Sequence, residues 1–438
     1  MTRERYRTDT LRDPMESPTI ALGMLGYGTV GSAVDRLLRQ RQEDIARVVG
    51  APVEVRRALV RDLSRPRSAP PGLLTDDFAS IRDDPEIGVV AEVMGGVDPT
   101  REMLLELFAA GKSVVTANKQ LLARHGAELF AAAAANGAQL RFEASVCAAI
   151  PVVRVLRESM IANEVDAVLG IVNGTTNFIL SAMASGDDYA TALAEAQRLG
   201  YAEADPTEDV TGADAAAKAA ILASIAFHTR VTIDDVPHQG IDRLDPLDLR
   251  FADDLGYRVK LIALARRTPT GVFADVAPTL VPRAHPLAVV EGSFNAVMLR
   301  GDAIREVTLS GPGAGGDETA SAVIGDLLGV LGTSASGFLR ADGYYRDLPL
   351  VPADSVQTAL YLRIDVKDEP GVLAGIASIL AEQGVSVDSV VQRAADGRAQ
   401  LVIVTHPAPV GSARIAIDSI ADLAVCAGPP QVLRVLTV

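Results

Sequence analysis

The sequence predicts an α/β chain in three parts: a parallel-sheet domain flanked by helices, an α+β domain, and a small C-terminal domain of β-α-β-β-α-β order. Three observations predict it. An apolar run from Ile20 to Leu25 leads through Gly26, Gly28 and Gly31 into a segment of helical periodicity. Apolar strand-like runs then alternate with helical ones through Thr116 and beyond. From Thr358 the pattern shifts to four strand-like runs and two amphipathic helices.

Composition bounds what such a chain does. Its 438 residues are 48% hydrophobic and include no Trp, so its cores are built from Ala, Val, Leu and Ile. No apolar run reaches the ~18 residues of a membrane span. A formal charge of −15 argues against wrapping nucleic acid. Cys147 and Cys426 stand far apart, which argues against a disulfide framework and fits a reducing cytoplasm. Residues 1–17 are charged, lack the apolar stretch of a secretory signal, and read as a disordered tail. His125, His228, His238, His285 and His406 show no zinc-site spacing.

The first domain is expected over 18–147. Gly26 permits a tight turn, Gly28 lets backbone approach a pyrophosphate, and Gly31 lets helix pack on strand. The helix from Thr29, with Val30 and Val34 apolar, offers phosphates its N-terminal N–H groups. Strand, glycines and helix in this order at the head of a domain predict a Rossmann-type dinucleotide site. The second strand, over 53–60, ends at Arg61 and Asp62. An acidic residue there binds the ribose of NAD, whereas arginine accommodates the 2′-phosphate of NADP. Arg56, Arg57, Arg61, Arg65 and Arg67 around the lone Asp62 favour NADP, with NAD tolerated.

Further strands are expected over 87–93 and 113–116, with a helix over 100–111 between them. Thr116-Ala117-Asn118-Lys119 falls at a strand's carboxyl end, where open α/β sheets bind ligands. Lys119 is therefore a candidate for cofactor and substrate contact, although a solvated lysine is the plainer reading. The run Arg141–Pro151 begins as a strand and carries Glu143 inward, where backbone N–H groups can hold a buried carboxylate. Within it, Cys147 is either a thiol nucleophile or a small buried side chain.

A second domain is expected over 148–317, with 318–340 rejoining the first. Its most informative stretch is AQRLGYAEADPTEDVTGADAAAK, Ala196 to Lys218. Glu203, Asp205, Glu208, Asp209 and Asp214 precede a single lysine, and the last part reads as a helix. Asp214 and Lys218, four apart, share one helical face. Such a pair commonly serves only to stabilise a helix. A loop of carboxylates feeding into it also suits a substrate that carries an ammonium group and needs a proton donor. IVNGTTNF, with Asn173, Gly174, Thr175 and Thr176, places small polar residues at a strand end. Gly311, Gly313, Gly315 and Gly316 precede a helix and offer a second backbone surface for close ligand approach.

After a linker over 341–357, the third domain is expected over 358–438. Its first strand–helix turn reads Asp368-Glu369-Pro370-Gly371-Val372-Leu373. With its β-α-β-β-α-β order this domain resembles an ACT domain, a ferredoxin-like amino-acid-sensing module. An effector would bind near Gly371; a purely structural dimerisation domain is the alternative.

The acidic stretch, GKSVVTANKQLLA, IVNGTTNF and the late glycine loop together resemble the homoserine dehydrogenase family, in order from Ala21 to the C-terminus. The resemblance implies NAD(P)H-dependent reduction of L-aspartate 4-semialdehyde to L-homoserine in threonine, methionine and isoleucine biosynthesis. It implies Lys218 as proton donor, with Lys119 at the active site. Glu203 and Asp214 would hold the substrate ammonium, supported by Asp209, with Gly200 and Thr176 in the substrate site. Gly26, Gly28, Thr29, Val30, Gly31, Arg61, Lys119 and Gly315 would meet the cofactor. It further implies a monovalent cation, usually sodium, on the Glu143 side chain and the carbonyls of Val146, Ala148 and Ile150. Here Cys147-Ala148-Ala149 stands where Ala-Gly-Gly is more common. Threonine is the expected effector, and a homodimer or homotetramer the expected assembly, with no nucleic acid or membrane partner. Another amino-acid-linked NAD(P) dehydrogenase, or a non-catalytic sensor, would share parts of this pattern.

Overall fold

The computed structural model describes residues 14–332, 347–395 and 398–437. Most of the expected tail, residues 333–340 of the expected returning segment and residues 341–346 of the expected linker lie outside the described residues. The chain divides into two compact units: one runs to Ile161 and resumes at Pro312, the other holds Ala162–Gly311 and the C-terminal part.

The first unit is built on a six-stranded sheet of order β3-β2-β1-β4-β5-β6. The strands are β1 (Ile20–Leu25), β2 (Val53–Leu59), β3 (Leu74–Thr75), β4 (Ile87–Glu92), β5 (Ser113–Thr116) and β6 (Leu140–Arg141), and all pairs are parallel. This is the Rossmann order, with its reversal between β1 and β4. Helices α1 (Thr29–Gln40), α2 (Gln42–Val49), α3 (Ala79–Arg82), α4 (Thr100–Ala109), α5 (Lys119–Ala135) and α6 (Val152–Arg154) follow in the chain. The inner strands read as apolar runs because both faces are covered. From far along the sequence α12 (Gly316–Gly332) returns, and its Ala320, Val323 and Leu327 join a core with Leu22, Val34 and Val115.

One expectation changes here. β6 stops at Arg141, and Glu143–Ser145 form a 3-10 turn instead of continuing a strand. The Asp326 carboxylate on α12 takes the Glu143 N–H at 2.7 Å, which replaces a ladder bond.

The second unit has a mixed sheet with β7 (Val165–Ile171), β8 (Tyr257–Thr268), β9 (Gly271–Pro282), β10 (Phe294–Gly301) and β11 (Arg305–Pro312) in the order β11-β10-β7-β8-β9. Its helices are α7 (Gly174–Ala184), α8 (Tyr189–Arg198), α9 (Thr207–Val210), α10 (Ala213–Phe227) and α11 (Pro246–Asp254). The Ala-rich α10 is buried on every side from Asp214 to Phe227, packed on β7, β8 and β9. Small side chains permit that close approach, and this is why the helix shows no polar stripe.

The C-terminal part has β12 (Gln357–Lys367), α13 (Val372–Glu382), β13 (Val387–Ala395), β14 (Arg398–Thr405), β15 (Ala408–Pro409), α14 (Val410–Ala421) and β16 (Gln431–Val435). Its antiparallel order β16-β12-β14-β13 is that of the ferredoxin-like ACT fold. The sequence presents this part as separate, but β16 also pairs in parallel with β9, so one ten-stranded sheet runs through both parts. Buried Arg434 explains the join: it ion-pairs with Asp275 and donates to Thr279 Oγ1 and the Ile262 carbonyl, each at 3.0 Å. The described end of the expected linker runs along β9, exchanging N–H···O bonds of 2.8 Å between Val272 and both Pro349 and Val351.

Candidate active site

In the first unit the glycines divide the labour as their spacing implies. A Cβ at Gly31 would lie 2.4 Å from the Gly26 carbonyl oxygen, so only glycine lets α1 sit this close to the turn. A Cβ at Gly28 would meet nothing within 4 Å. That open space at the head of α1, with no side chain capping the first N–H groups, is what an approaching phosphate needs. Val30 is half-buried in the first turn of α1. Gly28 and Thr29 line a cavity of about 820 Å³ that continues past Arg61, Arg65 and Arg67 to the loop after β4. Gly316 comes within 3.0 Å of the Thr29 methyl when given a Cβ, so the late glycine loop arrives beside the first, with Gly315 at φ +141°.

The arginines separate by role. Arg56 pairs with Asp84 at 3.0 Å and Arg57 donates to the Gly72 carbonyl, so both are structural. Arg61, Arg65 and Arg67 line the cavity, and Asp62 is not among its lining residues. Asp62 instead accepts the Ser64 N–H and hydroxyl at 2.8 and 2.6 Å, bonds that hold its carboxyl below the usual range.

Lys119 is the first residue of α5, half-buried, directly after Asn118. Asn118 caps the helix by accepting the Leu121 N–H at 3.1 Å, and its amide donates to the Gly96 carbonyl at 2.6 Å. Glu143 is buried, and its two oxygens accept the Val153 and Arg154 N–H groups at 2.9 and 2.8 Å. Burial, then the neighbouring Asp326 charge, pushes its carboxyl up to about 7. Val146, Ala148 and Ile150 follow in a buried loop, and the Ile150 carbonyl accepts the Val152 N–H at 2.7 Å. Cys147 and Ala148 adopt φ of +56° and +36°, a region that favours glycine. The Cys147 thiol is buried at 1% exposure, which fits the packing reading better than a nucleophile open to substrate.

The second unit gathers the carboxylates. Lys218 Nζ donates to Asp214 Oδ2 and to the Val172 carbonyl, both at 2.8 Å, and both side chains are buried. Asn173 joins them: its amide donates at 2.7 Å to Asp214 Oδ2 and at 2.7 Å to Asp209 Oδ1. The same Asn173 caps α7 through the Thr176 N–H, and the Thr176 hydroxyl bonds back to it. Burial and the nearby Asp214 charge raise the Asp209 carboxyl, while the Asn173 hydrogen bond and Lys218 pull it down. The fold thus brings Asp209, Asp214, Lys218 and Thr176 together around a residue that spacing alone did not single out as their link. Glu203 stands outside that cluster, exposed in the loop after α8, where its carbonyl accepts the Gln197 amide. Gly200 follows the C-cap of α8 at φ +79°.

In the C-terminal part a cavity of about 390 Å³ is lined by Asp368, Glu369, Gly371 and Gln392, among others. Among the described residues there is no cluster of three or more His, Cys, Asp or Glu side chains placed to hold a metal. No described helix is long and apolar enough to cross a membrane.

The chain matches known proteins over nearly its whole length. Residues 151–328 match the family model for homoserine dehydrogenase, residues 26–143 that for the homoserine dehydrogenase NAD-binding domain, and residues 360–424 that for the ACT domain. Homoserine dehydrogenase of Corynebacterium glutamicum is 47% identical over 407 residues, covering 90% of this chain and 91% of that one. The chain belongs to the homoserine dehydrogenase family. Among solved structures of the family, the Thiobacillus denitrificans enzyme superimposes with a TM-score of 0.91 at 41% identity, covering 96% of this chain and 98% of that one. A hyperthermophilic archaeal homoserine dehydrogenase in complex with NADPH does so with 0.61 at 27% identity, covering 72% and 98%. Family membership makes the chain an oxidoreductase with a dinucleotide-binding domain and an ACT domain.

Proposed function

We propose that this chain reduces L-aspartate 4-semialdehyde to L-homoserine with NADPH, accepting NADH less well. The observation that carries the reading is the hydrogen-bonded set of buried Lys218, Asp214 and Asn173 with half-buried Asp209. An amino-acid aldehyde brings its own ammonium group and needs a proton as its carbonyl is reduced. Lys218 donates that proton and steadies the developing oxyanion. Asp214 orients Lys218 through the 2.8 Å ion pair. Asp214 and Asp209, with the exposed Glu203, attract the substrate ammonium; Thr176 and Gly200 shape the segments beside them. Lys119 orients the reacting group from the head of α5.

NADPH supplies the hydride when bound. The residues present fit it: open space over Gly28, bare N–H groups at the start of α1, and the turn made by Gly26 and Gly31. Thr29, Val30 and Gly315 complete the phosphate end. Arg61, with Arg65 and Arg67, supports the 2′-phosphate, since Asp62 is engaged by Ser64. A monovalent cation, sodium by preference, fits beside Glu143, where a buried carboxylate next to Asp326 calls for positive charge. The positive-φ turn at Cys147 and Ala148 supports carbonyl ligation by Val146, Ala148 and Ile150. The ACT cavity at Gly371 has carboxylate and amide groups suited to an amino acid, threonine by pathway logic. We assign the enzyme to the cytoplasm as a homodimer or homotetramer, in threonine, methionine and isoleucine biosynthesis.

The test is direct. Purified protein, aspartate semialdehyde and NADPH are mixed, absorbance of the reduced nicotinamide is followed, and homoserine is identified by mass. Turnover with homoserine formed supports the reading; NADPH binding without turnover sinks the substrate assignment. Excess threonine that neither binds nor alters the rate removes the effector assignment.

A further inference from the structure

Glu92 is a carboxylate that no step above uses. It ends β4, the strand beside the sheet's reversal point, and is 0% exposed. Its two oxygens serve different segments. Oε1 accepts the Met94 and Gly95 N–H groups, each at 3.0 Å. Oε2 accepts the Thr116 hydroxyl from the end of β5 at 2.5 Å. Thr116 Oγ1 also accepts the Asn118 N–H at 3.0 Å, and its one proton goes to the carboxylate when Glu92 is ionised. Asn118 then caps α5 and donates to the Gly96 carbonyl, while the Thr100 hydroxyl donates to the Gly95 carbonyl.

A buried carboxylate is costly to keep where an apolar side chain would pack. Burial does push Glu92 above the ordinary range, and the Thr116, Gly95 and Met94 hydrogen bonds oppose it. What the group achieves is a junction. One side is the loop after β4, which lines the large cavity from Val93 to Pro99; the other is the segment that ends in Lys119.

We propose that Glu92 is a positioning residue that fixes the cavity loop and the start of α5 in one arrangement, and so sets NADPH affinity and the placement of Lys119 together. The link to Lys119 rests on the function proposed above; the link to NADPH affinity needs only the dinucleotide-binding domain. Glu92→Gln keeps the shape but gives Thr116 a donor where it needs an acceptor. Thr116→Val removes the hydroxyl and leaves Glu92 with its two backbone donors; Thr116→Ser keeps the hydroxyl.

NADPH affinity is measured by fluorescence titration, and kcat and KM for the semialdehyde separately. Glu92→Gln is expected to weaken NADPH binding about tenfold and lower kcat about a hundredfold, with the semialdehyde KM little changed. Thr116→Val should lose about tenfold in both, and Thr116→Ser should restore them. Wild-type NADPH affinity in both Glu92→Gln and Thr116→Val overturns the proposal. So does a Thr116→Ser variant as impaired as Thr116→Val, because packing alone would then explain the loss. Should Glu92→Gln fail to fold, the Thr116 pair decides. If the wild-type protein binds NADPH yet turns over no semialdehyde, the functional reading fails while the titration still reads Glu92.

Discussion

Two asparagines invite comparison. Asn118 follows β5 in the first unit and Asn173 follows β7 in the second, and each caps the next helix through an N–H three residues on. Their side-chain amides then part company. Asn118 donates to a neutral backbone carbonyl, Gly96, and so ties down a loop. Asn173 donates to two carboxylates, Asp209 and Asp214, and so holds like charges close together beside Lys218. The same local device therefore does mechanical work in one unit and electrostatic work in the other. Charge-assisted bonds are roughly twice as strong as neutral ones, and a deserted buried carboxylate is costlier than a deserted carbonyl.

The comparison breaks first at Lys218. Lys218→Ala should lower kcat by about a thousandfold or more through lost proton donation and oxyanion stabilisation, with NADPH affinity unchanged by titration. Near-normal turnover would refute the assignment and leave the Asp214 pair as helix support.

Next comes Asn173→Ala, expected to lower kcat/KM for the semialdehyde about a hundredfold, from the lost cap and two lost bonds to charged groups. It also carries a pH signature. The Asn173 bond pulls the Asp209 carboxyl down against burial, so its removal lets that carboxyl rise further. Ionised Asp209 is then lost at a higher pH, and the acid limb of the pH–rate profile should move upward. A limb that does not move would separate Asp209 from substrate binding.

Asn118→Ala is milder. The helix cap is worth about 1 kcal/mol and the freed acceptor is a carbonyl, so the KM for NADPH should rise about fivefold with the acid limb in place. An upward shift like that of Asn173→Ala would erase the distinction between the two caps.

The smallest effect on turnover is expected at Lys260, which β8 buries against the first turn of α7. Its Nζ donates to Asn177 Oδ1 at 3.1 Å and to the Val290 carbonyl, with no carboxylate in that pair of bonds, and burial lowers its pKa from 10.5 to about 8. Between those values the unfolded chain holds a proton that the folded one has released. Folded stability contributed by this group therefore rises with pH across about 8 to 10.5. Lys260→Met should remove that rise from melting temperatures compared across the window; identical pH dependence in the two proteins would show that Lys260 does not titrate there.

Local spacing made much of this legible. Gly26, Gly28 and Gly31 could be assigned because a turn, a close approach and a helix–strand contact each act within a few residues. Asp214 and Lys218 were legible because four residues make one helical turn. Glu203 lies between recognisable neighbours, yet no periodicity told whether its side chain would be buried, and it is exposed. Glu143 was read inward correctly and on the wrong element, since the bond that ends β6 comes from Asp326, far along the chain.

The sequence by itself determined the strand–helix alternation of the first domain, the glycine turn after β1, the ion pair on α10 and the ferredoxin-like end, all of which follow from interactions between near neighbours. Tertiary structure alone decided that Asn173 joins Asp209 to Asp214, that Glu92 binds the ends of two strands, and that β16 extends the sheet of β9 through Arg434. Each of these is a polar group buried next to partners dozens of residues away. The cost of leaving such a group unpaired acts only once the chain has folded, and so leaves no period in the sequence to read.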